Sequence, residues 1–205
     1  MIFIDLGELL DSRSRFAGSR QVTLPFHRRC ACHLLNLVSK ADVEKIIDEA
    51  FNSLRMNVED KLDILWNKQT SSSNNSDTIK RHLGQLFVLK NDTRWNTRYY
   101  ATACVVRLIQ KKEKALRKLM EELKIPYFSP SEEQYMKEYV KVMRSVVDEL
   151  NILQGEKNVG LGYLLPTLTV LKSNLRLLQD HPSVVHCQPL IAGLLTSINI
   201  RYCQI

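Results

Sequence analysis

The sequence predicts a nearly all-α chain, and three observations carry that reading. Apolar residues recur three and four positions apart from Cys30 to about Ile200, the period of a helix that buries one face. Prolines and glycines stand between these stretches, at Pro126, Pro130, Gly155, Gly160, Gly162, Pro182 and Pro189, where they end one helix and begin the next. The composition is that of a folded globular chain: 44% hydrophobic, 25% charged, with seven Gly and six Pro in 205 residues. Collagen-like, linker-like and wholly disordered readings fail on those figures. The length suits one or two domains whose core needs neither disulfides nor metal.

Residues 1–28 mix short apolar stretches with Gly7, Gly18 and the patch Asp11-Ser12-Arg13-Ser14-Arg15, without a sustained period. A poorly ordered lead-in, or a residual piece of an α/β core, is expected there. Residues 29–205 read as the helical domain. Its first stripe runs through Leu34, Leu37, Val38, Val43, Ile46, Ile47, Ala50, Phe51, Leu54, Val58, Leu62, Leu65 and Trp66, as one long helix or two separated near Asn57. Residues 69–77, built around Ser71-Ser72-Ser73-Asn74-Asn75-Ser76, hold side chains that compete with the backbone, so an exposed loop is expected.

A short helix is expected through Ile79, Leu83, Leu86 and Phe87, and Asn91-Asp92-Thr93 offers cap chemistry for the next. That helix should run from Trp95 to Leu123, burying Tyr99, Ala103, Val106, Ile109, Leu116, Leu119 and Met120. Pro130 and the acids of Ser131-Glu132-Glu133 start another, with Tyr135, Tyr139, Val142, Met143, Val146, Val147 and Leu150 as its stripe. Pro166 opens a helix through Leu168, Leu171, Leu175 and Leu178, and an apolar helix from Leu190 to Ile200 closes the order.

No apolar run approaches the roughly 18–20 residues of a membrane span, and acids stand where a signal peptide would carry cations. An intracellular chain without a membrane role is the expectation. Five cysteines at 30, 32, 104, 187 and 203 form an odd set that suits reduced thiols. The net charge is +7, and residues 76–124 alone carry twelve Lys and Arg against five Asp and Glu. A local excess of that size fits a polyanion partner, nucleic acid above all, because each cation that neutralises a phosphate releases a counterion. A solvated helix face is the plainer alternative.

His27-Arg28-Arg29-Cys30-Ala31-Cys32-His33 gathers four possible zinc ligands, yet they are too crowded for one segment to wrap an ion, and no second pair is evident among His82, Cys104, His181, His186 and Cys187. Thiols packed at a helix start are the expectation, with no metal and no cofactor. A nucleophile elbow, a phosphate-cradling Gly-rich loop and a carboxylate cluster are all missing, so an enzyme reading has little to stand on and no small-molecule substrate is indicated. The most informative segment is Asn91-Asp92-Thr93-Arg94-Trp95-Asn96-Thr97-Arg98-Tyr99-Tyr100, where cations alternate with aromatic rings at the head of a basic helix. Rings there can stack on unpaired bases while Arg94 and Arg98 hold phosphates. Trp95 and Tyr99, four apart, can equally lie on the core face.

Cys30-Ala31-Cys32-His33-Leu34-Leu35-Asn36-Leu37-Val38, then Thr93-Arg94-Trp95-Asn96, then Pro166-Thr167-Leu168-Thr169-Val170-Leu171-Lys172-Ser173-Asn174-Leu175 together resemble the hAT superfamily of DNA transposases, in order and spacing, from about residue 28 to 203. The resemblance implies a helical insertion domain from about residue 34 onward, grafted on an RNase H-like core of which at most a piece precedes it. The catalytic carboxylates do not carry over: Leu10-Asp11-Ser12-Arg13 does not resemble the family's Asp motif, and the other two acids would lie outside this chain. Two Mg²⁺ ions would enter only with that missing core.

The resemblance therefore implies a catalytically incomplete, nuclear, transposase-like protein that keeps DNA contact through residues 76–124. Candidate DNA-binding residues are Arg94, Trp95, Arg98, Tyr99, Lys111 and Lys112; Cys30, His33 and Asn36 match a family motif of structural or DNA-proximal role. A full-length transposase or another protein is a further possible partner. The alternatives are a helical protein-interaction module of transposon origin, or a truncated gene product without independent function.

Overall fold

The computed structural model describes residues 30–90, 96–155 and 161–203. Among them the chain is mainly helical, with no strand. The helices are α1 (Ala31–Leu37), α2 (Glu49–Ser71), α3 (Ser73–Leu83), α4 (Thr97–Glu122), α5 (Pro130–Leu153), α6 (Leu164–Gln179) and α7 (Gln188–Arg201). Each of α2 to α7 packs on its neighbour in sequence, save that α5 rather than α2 also receives α1. Helix α5 is central: α1, α2, α4 and α6 all pack against it. Helix α7 returns to the π and 3-10 turns, Val38–Asp42 and Val43–Lys45, that follow α1. No helix among the described residues is long and apolar enough to cross a membrane.

The first break falls at Ile46–Asp48, not near Asn57. Asp48 is extended and its carboxylate accepts from the Phe51 amide at 2.7 Å, an N-cap that starts α2, while the Asn52 amide donates to the Ile46 carbonyl at 2.7 Å. The break shifts the phase of the apolar stripe, which leaves Ile47 fully exposed and Ala50 outside the core. Ile46 instead packs on α7 at Gly193, where a Cβ would stand 2.9 Å from two of its carbons. Any side chain there would make Ile46 shift.

Residues 69–77 are helical except for Ser72, an extended single-residue corner (φ −158°, ψ 137°) between α2 and α3. The expected loop is therefore corrected. The polar side chains that suggested it cap the end of α2: Asn75 Nδ2 donates to the Lys68 carbonyl at 3.0 Å and Ser76 Oγ to the Gln69 carbonyl at 2.6 Å. Helix α3 stops at Gly84, left-handed at φ 70°, so Leu86 and Phe87 are not helical as expected. Phe87 is held instead by the buried side chain of Gln69, whose Oε1 accepts from the Phe87 amide at 2.7 Å and whose Nε2 donates to its carbonyl at 3.1 Å.

Helix α4 buries Val106, Ile109, Leu116, Leu119 and Met120 as the spacing predicts, and bends at Lys112 (φ −139°, ψ 35°). The expected cap at 91–93 and the start at Trp95 lie outside the described residues. Helix α5 begins at Pro130 with a reciprocal capping box, Ser129 Oγ accepting from the Glu132 amide and Glu132 Oε2 from the Ser129 amide. Burial pushes the Glu132 carboxyl up, but Lys61 Nζ at 2.7 Å and the Ser129 amide hold it below the usual range. Its predicted stripe is buried throughout, save for the half-buried Tyr139. In α6 and α7, Leu168, Leu171, Leu175, Leu190, Leu194 and Ile198 complete the core.

Candidate nucleic-acid interface

The six candidate residues of the basic stretch divide by what the fold does with them. Arg94 and Trp95 lie outside the described residues. Arg98 Nη1 stands 2.7 Å from Glu59 Oε1, an ion pair that ties α4 to α2 at the rim of a crevice lined by Trp66, Tyr135 and Tyr139. Tyr99 is half-buried against the core, edge-on to Tyr100 with centroids 5.1 Å apart, and burial raises its phenol above the ordinary value. Lys112 Nζ donates to the Leu83 carbonyl, so at the bend of α4 it caps the end of α3. Lys111 is exposed to solvent.

Lys111 belongs to a row whose other three members are not among the sequence candidates: Arg107, Lys111, Lys114 and Lys118, spaced four, three and four along α4, all exposed. At 100° per residue these four fall within about 60° of arc. Ala101, Val105, Leu108 and Ile109 before the bend, and Leu116, Leu119 and Met120 after it, keep one buried period, so the cations stay on the opposite side through the bend. The row spans about 16 Å. No carboxylate pairs with Lys111, Lys114 or Lys118 among the described residues, and Arg107 has only the Cys104 thiol at 3.8 Å. The signal was in the sequence as a repeat of four and three.

The neighbouring acids are largely occupied. Glu113 pairs with Arg117 at 2.8 Å, and the same guanidinium covers the Tyr127 ring at 3.7 Å. Glu122 takes His82 Nε2 and Arg81, each at 2.7 Å, and those contacts, His82 foremost, hold its carboxyl below the usual range. Glu121, exposed, closes the end of the row.

The motif residues at the other end of the chain sit on α1. Cys30 is exposed at its N-cap and His33 is exposed one turn on. Cys32 Sγ donates to the Leu153 carbonyl at the end of α5, and burial, then the nearby Cys30, raises its thiol pKa. Asn36 is half-buried with its Oδ1 enclosed and without a hydrogen-bond partner. Among the described residues no group of three or more His, Cys, Asp or Glu is placed to hold a metal ion. No family model, no curated protein and no solved structure matches this chain.

Proposed function

We infer that the chain binds nucleic acid through the outer face of α4, with Arg107, Lys111, Lys114 and Lys118 as phosphate contacts. The observation that supports this is a row of exposed cations without carboxylate partners, while the other cations of residues 76–124 that meet carboxylates, Arg81, Lys90, Arg98 and Arg117, are held in ion pairs. A solvated structural helix gains from interspersed charges of both signs; a row of one sign is self-repulsive until a polyanion covers it. The motif resemblance supports DNA as that polyanion. On this reading the chain is a nuclear, hAT-transposase-like protein that binds DNA without cleaving it, with Arg94 and Trp95 as further contacts.

Four phosphate contacts give a log–log salt slope of about −3.6 on duplex DNA. Fluorescence anisotropy of a labelled duplex titrated from low to physiological salt should show that decline. A second reading, a protein-interaction module, draws on Val170 and Leu177, exposed one heptad apart on α6. Apolar docking there would leave affinity nearly flat in salt, which separates the two readings.

A further inference from the structure

Helices α5 and α6 leave an open groove of about 330 Å³ between them, lined by Arg144, Ser145, Asp148 and Glu149 on one side and Asn174, Leu177 and Leu178 on the other. Glu149 is one of its lining residues. It is only 7% exposed, and among the described residues it has no hydrogen-bond or ion-pair partner. A desolvated carboxylate without a partner is costly wherever it is ionised. Burial, and then Asp148 beside it, raises the Glu149 carboxyl above the usual range.

The two cations on the rim are already engaged. Arg144 Nε stands 3.5 Å from Asp148 Oδ2, and Lys141 Nζ donates to Ser183 Oγ at 2.9 Å and meets His181 Nε2 at 3.4 Å. Among the described residues Glu149 is thus left without a counter-ion, beside a space large enough for a small ligand. The opposite wall is apolar, with Leu177 72% exposed beside Leu178, which suits an aliphatic stem. Asn174 and Ser145 add side-chain amide and hydroxyl groups that no hydrogen bond among the described residues engages.

We propose that the α5–α6 groove is a binding site for an alkylammonium group, with Glu149 as its counter-ion and Leu177 and Leu178 against its methylene stem. This site is separate from the cationic row on α4. Two sources carry the same chemistry, a lysine side chain of a partner peptide and a free polyamine. Isothermal titration calorimetry of the full chain with Nα-acetyl-lysine methylamide and with cadaverine distinguishes them, the preferred probe being the one bound at least threefold tighter.

Saturable binding of either probe is expected, weakened at least tenfold in Glu149→Gln, an isosteric change that removes a buried charge and should leave the melting temperature equal or higher. Leu177→Lys, at an exposed position, should weaken it as well by placing a competing ammonium in the groove. No saturable binding of either probe up to about 10 mM would overturn the proposal. So would equal affinity in the wild type and Glu149→Gln.

Discussion

Arg201 grips Asp42 at two points, Nη2 on Oδ1 at 2.8 Å and Nε on Oδ2, across 159 positions of sequence. This fork ties the last helix to the turn that follows the first, and both side chains are largely buried. The Arg201 hydrogen bond is the main cause that holds the Asp42 carboxyl below its usual range, against burial and with help from Lys45.

A carboxyl lowered in the fold contributes stability that is present above its ordinary value and lost as pH falls through the lowered one. Asp42→Asn should therefore cost about 2–3 kcal/mol at neutral pH, and the gap from wild type should close on acidification. Urea denaturation of both proteins at neutral and acid pH checks this; a gap independent of pH would contradict it.

Helix α7 begins on a carboxylate from another helix. Glu138, buried in α5, accepts from the amides of His186 at 2.7 Å and Cys187 at 2.9 Å, and Gln134 steadies its other oxygen at 2.9 Å. Its charge faces the positive end of α7 and supplies the cap that no α7 side chain provides. Glu138→Ala should cost about 2–3 kcal/mol in chemical denaturation and Glu138→Gln less, since the amide oxygen still accepts. Equal losses for the two would show that the carboxylate's charge, and not the accepting oxygen alone, makes the cap.

Lys124 closes α4 in the left-handed region at φ 57°, where the Ile125 amide reaches back to the Met120 carbonyl at 2.8 Å. A side chain there carries a steric cost that glycine avoids. Lys124→Gly should raise stability by about 1 kcal/mol, while Lys124→Ala should change little. Thermal melting reads the difference, and a destabilised Gly variant would mean that the Lys124 side chain holds the turn.

Helices α4, α5 and α6 were legible because their buried residues keep a 3.6 period over many turns, and Pro130 marked the start of α5 within a residue. The corner at Ser72 was not, because serine and asparagine signal a loop when they stand alone and a cap when carbonyls of a preceding helix lie within reach, as Lys68 and Gln69 do here. Nor could sequence spacing show that Ile47 falls within a break. At the interface, the row from Arg107 to Lys118 was present as a pattern, but the pairing of Arg98 with Glu59 and of Lys112 with Leu83 is tertiary and only the fold shows it. Residue type alone therefore selected two cations that the fold already uses.

The salt slope of DNA binding tests the phosphate-binding row on α4 most directly. The variant Arg107→Gln, Lys111→Gln, Lys114→Gln, Lys118→Gln should keep the wild-type fold, because all four side chains are exposed. Its log–log salt slope on duplex DNA should be shallower than the wild type's by about 3–4 units. A control variant, Lys172→Gln with Arg176→Gln on α6, should keep the wild-type slope. An unchanged slope in the α4 variant, or an equal loss in the control, would contradict a phosphate-binding face on α4.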